Sequence, residues 1–493
     1  MPSKAVKPIA LKPIESVAFV SLGCAKNLVD SERMLGLLAA DGIAIVPDAA
    51  DADAVVINTC GFLEASKDES MREINDAIAL KESGQLKKVI VAGCLVQRHK
   101  TMLLDEAPGI DRLVGVFDRD HIVEAVRGIE NPRQAHGHYL GKYHDLSKEL
   151  ADKQGLTAGP KQSKTNRLPV FEDDRARLRL TPRHYAYLRM SEGCNQGCSF
   201  CTIPSIRGPM RSKPVEQIIA EARELASDGA VELNLIGQDT TSYGTDIGYA
   251  AGLNGLLRTL NQTLPKDVQW LRLMYAYPSC FSDDMIKAIA DSERVVKYID
   301  MPLQHISDRM LALMKRRVTG KQIRTLLDKL RKWVPGMAIR TTFIAGSPTE
   351  TEKDHEELVQ FIKDYEFEHL GVFPFSAEPG TPMGRADHQH DDVTKQRWVE
   401  NIMLTQQDLV FARNAEQVGE LMPAMIERRE KDGTYVARHQ GQAPDIDSVV
   451  FVSSRAKLAA GEIVSVKVTD YQAYDLIAQV PAKKGRSLAV VRA

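Results

Sequence analysis

Residues 184–212 read HYAYLRMSEGCNQGCSFCTIPSIRGPMRS. The first seven are apolar or aromatic with one arginine, a pattern that predicts a buried strand. Directly after it, Cys194, Cys198 and Cys201 fall within eight residues on a glycine-containing loop. Such close spacing lets three sulfurs face one centre with little extra ordering of the chain. Cysteine thiolates are the usual ligands of iron–sulfur clusters, where four irons take four of them. Three thiolates leave one iron open, and an open iron can chelate a small molecule. A closed zinc site wants four ligands, and the nearest histidine, His184, is ten residues before Cys194 on the predicted strand, poorly placed to be the fourth. The loop therefore reads as an iron–sulfur site with one open iron, directly after a strand.

Working outward, the alternation of apolar runs and amphipathic stretches continues to about Phe375. Six strand candidates are HYAYLRM, ELNLIG, WLRLMYA, YIDMPL, AIRTTFIAG and HLGVFPF, with helical stretches such as PVEQIIAEARELASDG between them. Six successive strand–helix units predict a partial, open β/α barrel over residues 179–412, whose ligands sit at the C-terminal ends of its strands. The stretch VTKQRWVENIMLTQQDLVFARNAEQ then reads as one helix leading out.

Toward the N-terminus, residues 16–130 alternate in the same way, which predicts an open parallel α/β sheet. Three further cysteines stand there, each after an apolar run: VAFVSLGC ends at Cys24, DAVVINTC at Cys60 and VIVAGC at Cys94. Parallel strands put their C-terminal ends on one edge, and ligands of open α/β sheets bind at that edge. Topology can thus gather three distant thiols into a second three-cysteine site. Gly23, Gly61 and Gly93 each adjoin one of them, which eases close backbone approach. Three unrelated core cysteines are the bland reading. Core packing is the default reading for Cys280.

Residues 1–15 are basic and proline-containing and read as a loose tail, and residues 131–178, with GLTAGPKQSKTNRLP, as a linker or insertion. Residues 413–485 hold short, turn-separated β runs, which predict a small antiparallel β-barrel of OB-like size. The chain has 493 residues, 26% charged and 43% hydrophobic, with formal net charge −2, so electrostatics do not mark the whole chain as a polyanion binder. No apolar run reaches the ~18 residues of a membrane span, and the start lacks a signal-peptide core, so no membrane role and a cytoplasmic location are expected. In a reducing cytosol seven cysteines point to metal or catalytic use, not disulfides.

The spacing C-x3-C-x2-C, with Phe200 before the last cysteine, resembles the signature of radical S-adenosylmethionine (SAM) enzymes. The resemblance implies a [4Fe–4S] cluster at Cys194, Cys198 and Cys201 whose open iron binds SAM. One electron would then cleave SAM to a 5′-deoxyadenosyl radical. It further implies SAM contacts at Phe200, at Gln238 after ELNLIG, at Gly346 and Pro348 in the turn after AIRTTFIA, and at Arg340, which could pair with the SAM carboxylate. A three-cysteine N-terminal domain, a radical SAM domain and a small barrel together resemble the methylthiotransferases, whose barrel is called TRAM. Within them SLGCAKNLVDSE, EGCNQGCSFCTIPSIRGPMRS, LIGQDTTSYG, MPLQHIS and FIAGSPTETE look like the RimO branch. Two features depart from the pattern: Met383, where a small residue is expected, and the long polar insertion.

That resemblance implies a transferase carrying two [4Fe–4S] clusters, the first on Cys24, Cys60 and Cys94, with SAM as both methyl donor and radical source. No catalytic residue beyond the cluster ligands is assigned. The implied substrate is the β-carbon of an aspartate in small-subunit ribosomal protein twelve, and the implied reductant a flavodoxin or ferredoxin. A tRNA adenosine methylthiotransferase of the MiaB kind is the leading alternative. An electron carrier and a zinc-bearing RNA-binding module are the readings from other classes. TRAM domains often bind RNA, which wants a basic face. From Arg413 to Ala493 there are 12 Lys and Arg against 10 Asp and Glu. That weak positive balance modestly favours a protein substrate, while nucleic-acid contact on the ribosome stays possible.

Overall fold

The computed structural model describes residues 13–131, 137–153 and 171–481. The chain forms two compact units. The first comprises the chain up to Leu180 with Ser191–Gln196 and Cys201–Pro214; the second comprises Thr181–Met190, Gly197–Phe200 and the chain from Val215 onward.

In the first unit the strands β1 (Ser16–Ser21), β2 (Ala44–Val46), β3 (Ala54–Thr59), β4 (Lys88–Gly93) and β5 (Arg112–Gly115) form one sheet in the order β2-β1-β3-β4-β5. Every neighbouring pair is parallel. The helices are α1 (Ala25–Ala40), α2 (Glu64–Glu82), α3 (Cys94–His99), α4 (Met102–Glu106), α5 (Ile122–Arg127) and α6 (Tyr143–Lys153). Alternate residues of one strand face opposite sides of a sheet. Accordingly Val55, Ile57, Val89 and Val91 join one core with Ile74 and Ala77 of α2. Ala54, Val56, Ile90 and Ala92 join the other with Met34 and Leu38 of α1 and with Ala125 and Val126 of α5. Two covered faces explain why these strands read as unbroken apolar runs.

Two expectations need correction here. The stretch assigned to a linker holds helix α6, whose half-buried Tyr143, Leu146 and Leu150 face Phe117 and its neighbours; the Tyr143 and Phe117 rings lie 6.2 Å apart. Its downstream end is an ion-paired strap: Glu172 meets Arg211 at 2.8 Å and Asp174 meets Lys213 at 2.7 Å. GLTAGPKQSKTNRLP and residues 1–12 of the tail lie outside the described residues, but Ile14 is buried in the core rather than loose.

In the second unit, β6 (Tyr185–Arg189) opens a six-stranded sheet. The chain returns briefly to the first unit for the antiparallel pair β7 (Ser191–Glu192) and β8 (Arg211–Ser212), with α7 (Ile203–Arg207) between them. The second unit resumes with β9 (Glu232–Ile236), β10 (Trp270–Leu273), β11 (Val295–Asp300), β12 (Ala338–Ala345) and β13 (His369–Pro374). The order is β13-β12-β11-β10-β9-β6 and all pairs are parallel, which is the expected open β/α sheet. Its helices are α8 (Val215–Ser227), α9 (Gly252–Thr263), α10 (Asp283–Asp291), α11 (Asp308–Leu313), α12 (Gly320–Trp333) and α13 (Glu352–Tyr365), with α14 (Asp392–Gln417) leading out.

The strands β14 (Leu421–Arg429), β15 (Tyr435–His439), β16 (Val450–Ser453), β17 (Ile463–Gln472) and β18 (Asp475–Gln479) close a barrel in the order β14-β15-β16-β18-β17. It is not wholly antiparallel, because β16 and β18 run parallel. Five strands cannot alternate direction all the way round a ring, so one pair must agree. The barrel docks on the six-stranded sheet through buried charges. Glu232, near the start of β9, receives Arg272 and Arg438, each at 2.7 Å, and Asp447 receives Arg340 at 3.3 Å. Cys280 is half-buried in a turn and not in the core: Ser242 Oγ donates to its Sγ at 3.5 Å.

Candidate functional site: two sets of three cysteines

The first set is assembled by the sheet. Cys24 caps the N-terminus of α1 just after β1, Cys60 follows β3, and Cys94 begins α3 directly after β4. The loops that carry them are pressed together. At Gly23, whose φ is +91°, a Cβ would fall 2.9 Å from Cys60 Cβ and 3.4 Å from Cys60 Sγ. At Gly93, with φ +98°, it would fall 2.3 Å from Asn58 Oδ1. Only glycine meets both demands.

The three thiols sense one another. Burial pushes Cys94 up to about 12, and the charges of Cys24 and Cys60 push the same way, against Arg207. Cys60 is also raised, by burial first and then by the charge of Cys24. Cys24 keeps an exposed face although protein atoms surround it densely. Burial raises it too, but Lys26, Arg207 and the N–H groups of Asn27 and Lys26 outweigh burial, so its net shift is downward. Three such thiols cannot all ionise together without a compensating cation. Among the described residues no three His, Cys, Asp or Glu side chains close on a single metal ion. A cluster is wider than one ion and asks for thiols held further apart. The glycine-lined edge, its three thiols and the buried Arg207 suit such a group.

The second set is held by sequence, and its loop contributes to both units. In the first unit, Gln196 N–H donates to Cys194 Sγ and Ile203 N–H to Cys201 Sγ, each at 3.4 Å, a pattern suited to thiolates. In the second unit, Cys198 Sγ lies 3.5 Å from Tyr277 Oη and receives Arg316 Nη1 at 3.5 Å. Ser199 N–H donates to Met314 O, and Phe200 packs on Met314, Phe375 and Met383. Met383, unexpected from the sequence, is thus a core residue supporting the loop. His184 is committed elsewhere, 2.7 Å from Glu427.

Of the remaining candidates, Gln238 stands just past the end of β9, and Gly346 (φ +78°) and Pro348 form the turn past β12. Tyr275, Gln304 and Thr349, non-glycine residues with positive φ, also stand just past β10, β11 and β12. Such strain gathers at functional edges. Arg340 does not belong there. It lies near the start of β12 and is engaged by Asp300 at 3.0 Å and Asp447 at 3.3 Å, so its guanidinium already serves two carboxylates.

Sequence reasoning missed Arg207, Asn27, Asp30 and Glu192. Arg207 is buried; its Nη1 donates to Asp30 at 2.8 Å and Glu192 at 3.0 Å, and its Nη2 to Asn27 Oδ1 at 2.9 Å and Cys94 Sγ at 3.2 Å. All four lie in strings that resembled the family, but nothing in spacing assigned them a partner.

The comparisons with known proteins agree with this geometry. Residues 188–362 match the Radical SAM superfamily, residues 16–115 the uncharacterized protein family UPF0004, and residues 418–480 the TRAM domain. The radical SAM methyltransferase TsrM from Kitasatospora setae, solved with cobalamin and a [4Fe-4S] cluster, shares the fold: TM-score 0.52 at 16% identity, over 75% of this chain and 77% of that one. Sheet, thiol loop and closed barrel together define a radical SAM protein with a TRAM module. Two relatives named ribosomal protein uS12 methylthiotransferase RimO narrow this. That of Anaeromyxobacter sp. (strain K) is 40% identical over 471 residues, 94% of this chain and 92% of the relative. That of Desulforamulus reducens is 38% identical, over 94% of this chain and 99% of the relative. The chain belongs to the RimO family.

Proposed function

We propose that this protein attaches a methylthio group to the β-carbon of an aspartate in ribosomal protein uS12. The observation that carries the reading is the pair of three-cysteine sets, one on a sheet edge and one on the loop after β6, in a chain that aligns along 94% of its length with uS12 methylthiotransferases. A β C–H bond is not acidic enough for an ordinary general base, so an unreactive carbon calls for radical chemistry. Cys194, Cys198 and Cys201 would hold the [4Fe–4S] cluster that supplies the electron for SAM cleavage, and Cys24, Cys60 and Cys94 a second cluster that supplies the site for sulfur.

The chain's own residues bind and orient. The N–H of Gln196 on Cys194, the N–H of Ile203 on Cys201 and Arg316 on Cys198 aim donors at the three sulfurs of the loop. Gln238, Gly346 and Pro348 are proposed around SAM, and Phe200 fixes the loop by packing. The relatives' names favour the protein substrate over the tRNA alternative. The reductant is proposed to be a flavodoxin or ferredoxin, and a cytoplasmic location is proposed on the strength of the ribosomal substrate. Among the described residues no helix is long and apolar enough to cross a membrane.

Mass spectrometry of uS12 and of tRNA nucleosides from a deletion strain tests the proposal. The methylthio mass should vanish from uS12 and persist in tRNA. Retention on uS12 would overturn the reading, and loss from tRNA alone would establish the alternative.

A further inference from the structure

We infer that Arg207 is a positioning residue for the N-terminal cluster, a preorganised hydrogen-bond donor aimed at Cys94 Sγ that raises the reduction potential of the group bound there. This rests on the two-cluster reading above.

The geometry separates two roles of one guanidinium. Nη1 donates to Asp30 at 2.8 Å and to Glu192 at 3.0 Å, which compensates and fixes the cation without help from sulfur. Asp30 is itself held by Arg119 at 2.6 Å, which also reaches Asp174 at 2.7 Å. Nη2 is then directed at Asn27 Oδ1 and Cys94 Sγ, at 2.9 and 3.2 Å. The Asn27 amide cannot turn to refuse this contact, because its Nδ2 donates to Leu22 O at 2.7 Å and to Thr59 O at 3.0 Å. Its oxygen must face Arg207. The donor is thus aimed at the sulfur by Asn27 and Asp30 of α1 and Glu192 of β7, and Cys94 is 7% exposed, so water does little to screen it.

Hydrogen bonds to cluster sulfurs are among the protein's levers on potential. A donor and a buried positive charge favour the state with the extra electron, so Arg207 raises the potential. Glu192, bonded to the same guanidinium, opposes it. The position of Arg207 in the chain adds meaning: it follows Cys201 by six residues, and Glu192 precedes Cys194 by two. The segments flanking the radical-type loop therefore supply the charges that tune the other set of thiols.

The test uses the full chain with Cys194, Cys198 and Cys201 replaced by Ala, reconstituted with iron and sulfide, so that the N-terminal cluster alone is titrated with dithionite and read by EPR. One electron enters and no bond changes. Arg207→Gln should shift the midpoint negative, and Glu192→Gln should shift it positive. A purely structural role would lower iron retention in both without opposite shifts. An unmoved midpoint in Arg207→Gln, or a Glu192→Gln midpoint that is unmoved or negative, overturns the inference. If Arg207→Gln fails to hold iron, the sign of the Glu192→Gln shift decides alone. A background chain that holds no iron overturns the two-cluster reading itself, and this inference with it.

Discussion

The two cysteine sets reach the same number of ligands by opposite routes. Cys194, Cys198 and Cys201 are neighbours because the chain makes them so, within eight residues. Cys24, Cys60 and Cys94 are neighbours only because β1, β3 and β4 are parallel and end on one edge. A local set needs a flexible loop and a few N–H donors. A topological set needs the whole sheet in register and its connecting loops in contact. The first should therefore tolerate backbone change and the second should not. Both sets nonetheless receive a guanidinium, Arg207 on Cys94 and Arg316 on Cys198, which suggests a shared electrostatic need.

The largest effects come from removing a ligand on each side of the comparison. Cys198→Ala should abolish 5′-deoxyadenosine formation from SAM while iron remains at the N-terminal set. Cys94→Ala should leave SAM cleavage and abolish methylthio transfer. Iron analysis with product quantification checks both, and loss of all iron in either variant would show that the sets are not independent. Next in size is Gly93→Ala. A Cβ there meets Asn58 Oδ1 at 2.3 Å on a backbone with φ +98°, so strain and overpacking together should cost about 2–5 kcal/mol. Denaturation of the chain and its iron content report this, and a near-normal variant would show that the edge is looser than the structure has it.

What could be read from the sequence follows the same division. The loop was legible because spacing alone carries its chemistry. The six strands of the β/α sheet were legible because short apolar-rich runs recur between helical stretches, even though several carry polar residues such as Glu232, Asn234 and Arg272. β2 and β5 were missed: Ala44–Val46 and Arg112–Gly115 are only three and four residues long, too short for a periodic signal. Helix α6 was missed because its apolar stripe is just Tyr143, Leu146 and Leu150 in a polar run. Arg340 was misplaced because a strand-borne arginine looks the same from either end of its strand. Its two carboxylate partners, Asp300 and Asp447, come from positions 40 and 107 residues away, and no local pattern links them. Arg207 and its partners were unreadable for the same reason, since hydrogen bonds across a fold leave no trace in spacing.

Smaller effects sharpen the comparison. Arg316 sits between Lys315 and Arg317, both with positive φ, a strained arrangement that presents its side chain to Cys198. Arg316→Lys keeps the charge but loses the fork. The midpoint of the loop's cluster should move negative while that of the N-terminal cluster stays, as read by EPR titration of each. Movement of both would mean that the two guanidinium contacts are not local. The smallest effect is expected at Gly197, inside the loop itself. A Cβ there meets nothing within 4 Å and its φ is not in the left-handed region, so Gly197→Ala should change stability by no more than about 0.5 kcal/mol and leave iron bound. Set beside Gly93→Ala, this substitution isolates the cause. The same added methyl group is harmless where sequence brings the thiols together and damaging where topology does. Equal damage at both positions would mean that the loop is as tightly constrained as the sheet edge, and the contrast between a local and a topological set would fail.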